Sequence, residues 1–425
     1  MDNEEINYFN YEHIPGKMLK RNTAKEMVKS KIEIIISPES NKENNIQEMI
    51  NSIINQTFPF WKLNIINNEL KEETIEKIRF IDDSRINIIN ESSKIDLIKN
   101  SECKYICMIH SEDVIDETFI ECAYWSLETN KDASWCYSNF VINKEELKNE
   151  NFYSEEERNR NIVSSSYIIR KEELVQLIDK GCDLDNNWVI FLQLLNQNKF
   201  PVKMNFYGVW SNNVQNAKKN EEIEKIAQQI QNKIEGINYP VGVDYWFNTR
   251  PFEFEWEITN ERNSNKKNLL FIVPWFKVGG ADKFNYDLIS NLNKEKYNIT
   301  IITTEPSQYI WRQKFEEYAE IFDLTSFLHR QYWAAFIHYI IKTRNIDLVM
   351  NTNSYYGYYA IPWLKSKFPN VIFTDYLHAI NWNYRNGEYP TDSTAICNIL
   401  DKTFVSTNSI KKIMEEKMRK KKTKC

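Results

Sequence analysis

Short apolar runs alternate with amphipathic helical stretches along this chain, and the alternation begins twice. From "KIEIIISPES", residues 32–36 predict a strand, and Ile46, Met49, Ile50, Ile53 and Ile54 recur at helical spacing until "NQTFPFW" breaks the helix. Further strands are expected at "KLNII", "RINII", "YICMI" and "SWCYSNFVI", with a helix through "ETFIECAYWSLETN". The segment "KEELVQLIDKG" predicts a helix with Gly181 at its C′ position, and apolar "NNWVIFLQLLNQ" predicts the next. Ile223, Ile226, Ile230 and Ile234 form one helical stripe ending at Gly236. Phe252, Phe254, Trp256 and Ile258 alternate as a half-buried strand does. Strands separated by helices call for a mainly parallel sheet covered on both faces.

The pattern stops at polar "TNERNSNKKN", residues 259–268, which reads as a linker, and then restarts. Strand "NLLFIVPW", a glycine turn, helix "DKFNYDLISNL", strand "YNITIITT", a helix around "YWAAFIHYIIKT", strand "IDLVMNT", helix "YYAIPWLKSKF", strand "VIFTDYLH" and "KTFVS" with a closing helix make a second, Rossmann-like unit. The two halves repeat a class of pattern and not a sequence. A chain of 425 residues exceeds the ~250–300 at which single cores stop growing, so division into domains is expected on size as well.

Charge and cysteine usage narrow the function classes. The 54 basic and 60 acidic residues are interspersed before the C-terminus, which argues against a nucleic-acid partner. Seven cysteines, at 103, 107, 122, 136, 182, 397 and 425, show no CxxC pair and no zinc-ligand spacing, so reduced thiols in a cytoplasmic protein are expected. The acidic N-terminus lacks a signal-peptide core, and no apolar run is long enough for a transmembrane helix; peripheral membrane contact stays open. With 9 glycines in the whole chain, the adjacent pair Gly279-Gly280 stands out.

Residues of about 31–215 resemble a family 2 glycosyltransferase with the GT-A fold, on "IEIIISPESNKENNIQEMINSIINQTFPFWKLNIIN" and "YICMIHSEDVIDETFIECAYWSLETNKDASWCYSNF". The resemblance implies three acidic positions that this chain replaces. Asn67 and Asn68 stand where acidic residues hold the nucleotide base. His110, Ser111 and Glu112 stand at the metal-binding Asp-x-Asp, with Asp113 trailing. Asn186 and Asn187 precede Trp188 where the family has Glu-Asp, its catalytic base, and an amide cannot accept the acceptor's proton. Mg²⁺ and Mn²⁺ favour hard oxygen ligands, so no working divalent-metal site is expected here. The expectation for His110-Ser111-Glu112-Asp113 is instead a polar strand end and a helix N-terminus, where the charges of Glu112 and Asp113 suit the macrodipole; the competing reading is a residual metal site with His, Glu and Asp as ligands.

Residues of about 268–420 resemble the N-terminal Rossmann domain of a family 4 glycosyltransferase with the GT-B fold, and more closely a group of fused family 2/family 4 bacterial proteins. The residues that carry this are "LLFIVPWFKVGGADKFNYDLI", "NIDLVMNTNSYYGYYAIPWL", "DYLHAINW", "NGEYP" and "LDKTFVS". Gly279-Gly280, between strand and helix, fits backbone amides approaching an anion at a helix N-terminus. Asp282 stands where relatives have Glu, with helix capping as its other reading. His378, after "VIFTDYL", falls where α/β crevices bind ligands, and the resemblance places it on the acceptor side with a partial charge able to assist transfer. Trp382, Tyr384 and Tyr389 suit stacking on a sugar or packing under a loop; His329 and His338 read as helix-surface or core residues.

The expected fold is therefore α/β: an N-terminal extension (1–30), a GT-A-like nucleotide-diphospho-sugar transferase domain (31–258), the linker, and a Rossmann-like GT-B N-terminal domain (269–420) whose donor-binding half is absent. The lysine-rich ending "EEKMRKKKTKC" reads as a frayed tail, a basic contact for acidic lipid, or, ranked first, a frameshifted end. The expected activity is sugar transfer from a nucleotide-sugar to a glycan or lipid-linked acceptor in bacterial surface-polysaccharide biosynthesis, without a cofactor in the second domain. Self-association is expected from an exposed aromatic cleft. The rival reading is a non-catalytic pseudo-glycosyltransferase that binds carbohydrate or acts as a scaffold, or the remnant of a disrupted gene.

Overall fold

The structure is a computed structural model that describes residues 31–38, 46–67, 70–90, 93–143, 146–148, 152, 157, 160–211, 221–229, 237–238, 265–307, 310–384 and 386–416. Its described residues fall into two units, 31–238 and 265–416. The alternating segment Phe252 to Ile258, most of the linker and both chain ends lie outside the described residues.

In the first unit the elements are β1 (Ile32–Ile36), α1 (Ile46–Ile54), β2 (Trp61–Asn67), α2 (Glu72–Arg79), β3 (Ile86–Asn90), α3 (Lys94–Asn100), β4 (Tyr105–Met108), β5 (Asp113–Ile115), α4 (Phe119–Thr129), β6 (Trp135–Ile142), β7 (Glu146–Lys148), β8 (Tyr167–Arg170), α5 (Lys171–Asp179), α6 (Asn187–Asn196), β9 (Pro201–Ser211), α7 (Glu221–Gln229) and β10 (Ile237–Asn238). They form one sheet of order β10-β9-β6-β8-β4-β1-β2-β3, with β5 on β9 and β7 on β6. Strands β4, β1, β2 and β3 run parallel, as the strand–helix alternation demands. Beyond β4 the sheet turns mixed: β8 is antiparallel to both β4 and β6.

Two strands of this sheet were not revealed by the pattern, and the departure from a parallel order along it rests on the first of them, β8. β8 has four residues, all buried, too few to display a period. β9 pairs with β6 through register shifts around Ser138 and Asn139, and these disrupt its alternation. A Cβ at Gly208 of β9 would sit 2.6 Å from Ser138 Oγ and 2.8 Å from a Phe119 ring carbon, so the close crossing requires glycine. The core behind this half is aromatic, with Trp135 stacked on Phe191 at 4.6 Å and Tyr167 edge-on to the same ring at 4.9 Å. α5 ends as expected: Gly181 has φ +78°, its N–H bonds to Ile178 O at 2.9 Å, and Cys182 N–H to Leu177 O at 3.0 Å, which closes the last turn.

The second unit comprises β11 (Lys267–Val273), α8 (Gly280–Ser290), β12 (Tyr297–Thr303), α9 (Arg312–Glu316), β13 (Glu320–Asp323), α10 (Leu324–Phe327), α11 (Trp333–Thr343), β14 (Leu348–Thr352), α12 (Tyr355–Lys367), β15 (Ile372–Leu377), α13 (Tyr389–Ala395), β16 (Lys402–Val405) and α14 (Asn408–Glu416). Its six strands are all parallel, in the order β13-β12-β11-β14-β15-β16. That is the Rossmann order 3-2-1-4-5-6, and it reverses between β11 and β14, the position at which sheets of this order bind ligands outside the carboxyl ends of their strands. β11 begins at Lys267, inside the expected linker, because Asn268 is held by its neighbours. Its N–H bonds to Asp347 Oδ2 at 2.8 Å, and its Nδ2 to Asn345 O at 3.2 Å.

The expected α/β class holds for both units. No described helix is long and apolar enough to cross a membrane. The six described cysteines are free; four are buried and two half-buried.

Candidate functional site

At the carboxyl end of the first sheet, the implied site residues are engaged with the protein itself. Asn67 closes β2 by donating to Asn90 Oδ1 of β3 at 2.8 Å and accepting from Leu70 N–H at 3.2 Å. Asn68 lies outside the described residues. His110 and Glu112 are half-buried, and His110 Nδ1 accepts from Glu112 N–H at 3.3 Å.

Asp113 corrects the helix-terminus expectation. It opens β5, opposite Ser211 of β9, whereas α4 begins only at Phe119. The strand turns its side chain inward, where it is 0% exposed. Ser166 Oγ donates to its Oδ2 at 2.7 Å, and Ser165 Oγ donates to the same oxygen. Burial pushes this carboxyl up from its ordinary range, opposed by the hydroxyls of Ser165, Ser166 and Ser211 and by His110. A divalent cation on a sugar diphosphate needs carboxylate oxygens that reach the ligand. Asp113 is fully enclosed, its Oδ2 taken by the two serine hydroxyls and its Oδ1 buried without a hydrogen-bond partner among the described residues, so neither oxygen is exposed to a ligand. Among the described residues no three His, Cys, Asp or Glu side chains gather as a metal-binding group.

The two asparagines before Trp188 are likewise structural. Asn186 caps α6, its Oδ1 accepting from Trp188 N–H at 3.1 Å and Val189 N–H at 3.4 Å. Asn187 donates to Ser165 O at 3.3 Å and accepts from Tyr167 OH at 3.4 Å, tying α6 to the loop that holds Asp113. It has no ionisable group with which to deprotonate an acceptor.

At the carboxyl end of the second sheet the polar groups are arranged differently. Gly279 is the N-cap of α8 with extended backbone, φ −166° and ψ 168°, and neither glycine of the pair has a positive φ. The turn therefore does not need glycine for its conformation. Gly280 supplies room, since a Cβ there would meet nothing within 4 Å, whereas a Cβ at Gly279 would lie 3.1 Å from Asp282 Oδ2. Glycine brings no capping side chain; within the first turn the Asp282 carboxyl faces its own amide. Asp282, three residues into the unit that Gly279 opens, is not the cap. Its Oδ1 reaches back to Lys277 N–H at 3.3 Å and folds the loop over the helix end. Burial raises its carboxyl from 3.8 to about 6, against the pull of the Lys277 and Asp282 amides and the Lys277 charge.

α8 crosses from β14 to β15. Asn285 Nδ2 donates to Thr352 Oγ1 at 2.8 Å, and Phe284 stacks on Tyr376 at 4.1 Å and meets His378 edge-on at 5.2 Å. Phe284 lies one turn, ~6 Å, beyond Gly280, so the glycine loop and His378 share one end of the sheet. Gly279, Gly280 and Asp282 at the head of α8 and His378 after β15 thus lie at the same end of the sheet, linked through Phe284. Burial lowers His378 to about 4, so near neutrality it is an uncharged imidazole and not the partly charged group expected. Its Nε2 is buried without a hydrogen-bond partner among the described residues.

Of the expected aromatic cluster, Trp382 and Tyr384 are 52% and 47% exposed on the loop after His378, while Tyr389 packs on Tyr355 at 4.4 Å. His329 caps a short 3-10 turn, and His338 packs on Phe368 at 4.8 Å; both are structural.

No protein-family model matches the sequence, and no curated protein matches it. Among solved structures, the chain is similar to residues 1–349 of TarS from S. aureus in complex with UDP-GlcNAc. That likeness has 12% identity and a TM-score of 0.35, and spans 45% of this chain and 60% of that one. It is also similar to the apo-form glycosyltransferase GlyE of Streptococcus pneumoniae TIGR4, at 9% identity and a TM-score of 0.30, over 92% of this chain and 99% of that one.

Two features near the second site escaped the sequence. Gly357 begins α12 against buried Asn351, where a Cβ would lie 2.2 Å from Oδ1; "NSYYG" signals this only as a serine cap followed three residues later by glycine. Glu388 has φ +61° and ψ −138°, a region that L side chains rarely adopt, and it follows Asn386 and Gly387, also at positive φ. The "NG" dipeptide marks the bend but not the strain carried by the residue after it.

Proposed function

We propose that this chain is a glycosyltransferase-family protein whose ligand site is the carboxyl edge of the second unit. The reaction is transfer of a sugar from a nucleotide-diphosphate donor to a glycan or lipid-linked acceptor, in bacterial surface-polysaccharide assembly. The observation that carries this reading is the open N-terminus of α8 at Gly280, one helical turn from the ring packed on His378. In transfer, the bond from the anomeric carbon to the diphosphate breaks, one to the acceptor oxygen forms, and the acceptor's proton passes to the departing diphosphate. Amide N–H groups at a helix end stabilise the charge that develops on the departing diphosphate. His378, neutral and with Nε2 unpartnered, is suited to hydrogen-bonding a sugar hydroxyl.

A non-catalytic role for the first unit is favoured by a specific observation: Asp113 and Asn187 are both committed to the loop at 165–166. On this second reading the first unit is a GT-A-like binding or scaffolding domain that neither takes a metal nor supplies a base.

The test is calorimetric titration of the full chain with UDP- and GDP-sugars, without metal and then with Mn²⁺. Binding that is independent of Mn²⁺ and at least tenfold weaker in Gly280→Ala is expected. Binding that requires Mn²⁺, or that Gly280→Ala leaves intact, would overturn the assignment. Release of nucleotide diphosphate in the presence of acceptor then separates an enzyme from a binding protein.

A further inference from the structure

The carboxyl ends of β12 and β14 hold polar groups that the glycine loop and His378 do not use. These two strands flank β11, and Thr304 Oγ1 meets Ser354 Oγ at 2.7 Å across its end. Glu305 and Asn353 are the chain neighbours of that pair, each one residue, ~4 Å of backbone, from the contact. Glu305 N–H bonds to Pro274 O at 2.9 Å, which holds its loop over β11. Asn285 reaches the same strand end from α8, with Nδ2 on Thr352 Oγ1 at 2.8 Å. The Oδ1 atoms of Asn285 and Asn353 are both buried without a hydrogen-bond partner among the described residues, and Asn285 is only 5% exposed. Two such oxygens at one strand end cost stability until something supplies them with donors.

We infer, on the strength of the ligand site proposed above, that this end of β12 and β14 is the subsite of the sugar that receives the transfer, an uncharged sugar held by its hydroxyl groups. The chemistry of the groups selects the ligand. Both carboxamide oxygens are acceptors, and with the Glu305 carboxylate beside them they match hydroxyl donors and repel a phosphate. A calcium ion takes ~6–8 oxygens, more than these three residues offer. Tyr355 follows Ser354 and packs on Tyr389 at 4.4 Å, adding a half-buried pair of rings that suits the face of a sugar. Burial, Tyr355 and the charges of Glu305 and Glu388 all push the Tyr389 hydroxyl up, so it stays protonated near those carboxylates. Such a subsite fits the sugar end of a growing glycan and not a bare lipid phosphate.

Asn353 separates a ligand role from a conformational one. Its φ is +60°, a conformation that glycine adopts freely, so Asn353→Gly keeps the backbone and removes only the carboxamide.

Saturation-transfer NMR of the full chain with glucose, galactose and N-acetylglucosamine, each without nucleotide, tests the subsite. At least one should bind with a dissociation constant on the order of 1 mM, and its 6-phosphate at least tenfold more weakly. Asn353→Gly should bind that sugar at least tenfold more weakly with a melting temperature no lower than the wild type's. Glu305→Gln should narrow the gap between the sugar and its phosphate. Equal binding of the 6-phosphate, an unchanged gap in Glu305→Gln, or full binding by Asn353→Gly would each overturn the inference, the last by showing that the asparagine serves only the turn. Nucleotide-sugar binding without binding of any of the three sugars would overturn this inference alone, whereas absence of both would also remove the ligand site it rests on.

Discussion

The carboxyl ends of the two sheets present the same layout, a strand, a turn and a helix, with opposite use of their polar groups. In the first unit, Asp113 faces inward and takes the hydroxyls of Ser165 and Ser166, while Asn186 spends its side chain on capping α6. In the second, Gly279 at the head of α8 brings no capping side chain, and His378 Nε2, like Asp113 Oδ1 of the first unit, is buried without a hydrogen-bond partner among the described residues. A polar group that the protein satisfies belongs to its structure. The open feature of the second end is the head of α8, where a Cβ at Gly280 would meet nothing within 4 Å.

Replacing Asp113 should have the largest effect on stability. Asp113→Ala removes the acceptor for two buried serine hydroxyls, and a loss of about 3 kcal/mol is expected in chemical denaturation of the full chain. Nucleotide-sugar binding at the second unit should not change in the population that stays folded. A loss below about 1 kcal/mol would mean that Asp113 is not a clamp, and the contrast between the units would fail.

Gly357→Ala should come next, at about 2 kcal/mol, because its Cβ would press on Asn351 Oδ1, which belongs to a fully buried residue hydrogen-bonded to Ser354 O. Gly280→Ala sharpens the comparison from the other direction. It should alter stability by no more than about 0.5 kcal/mol while weakening ligand binding at least tenfold, about 1.4 kcal/mol. Loss of stability and of binding together would show that the glycine serves the fold. Glu388→Gly should stabilise the second unit by about 1 kcal/mol by relieving its backbone, and a destabilised variant would show that the side chain compensates for the strain.

The smallest effect depends on pH. Asp282 is raised from 3.8 to about 6, so the folded chain binds more protons than the unfolded one between these values. Its contribution to stability is present at low pH and is lost as pH rises through 6. Asp282→Asn should therefore stabilise the second unit at pH 7 and not at pH 4. His378, lowered to about 4, acts in the opposite sense, its contribution being lost as pH falls through 4. Because ionised Asp282 lies near the end of α8, a nucleotide-sugar should bind a fewfold more tightly as pH drops through 6 in the wild type, but not in Asp282→Asn. Equal pH profiles for the two would remove Asp282 from the site.

The second unit was largely legible in the sequence because its strands and helices are long enough to show their periods and its glycine pair is conspicuous among 9 in the chain. The first unit was legible through β4 and again at α4, β6, α5 and α6. Elsewhere, the four residues of β8 and the shifted register of β9 carry no clear period, and the antiparallel reversal was missed with them. In the site, residue type exposed the amide at Asn187 but not the inward turn of Asp113. That turn depends on β5 pairing with β9, a contact between residues about a hundred positions apart. Likewise, the neutrality of His378 comes from burial against Phe284 and Tyr376, on two elements that only the fold brings together.

Hydrogen exchange of the full chain, with and without a saturating nucleotide-sugar, tests the central contrast most directly. Protection should appear in residues 276–283 and 376–384 and be unchanged in residues 105–116 and 186–190. Protection confined to the latter segments would place the ligand site in the first unit and contradict the account.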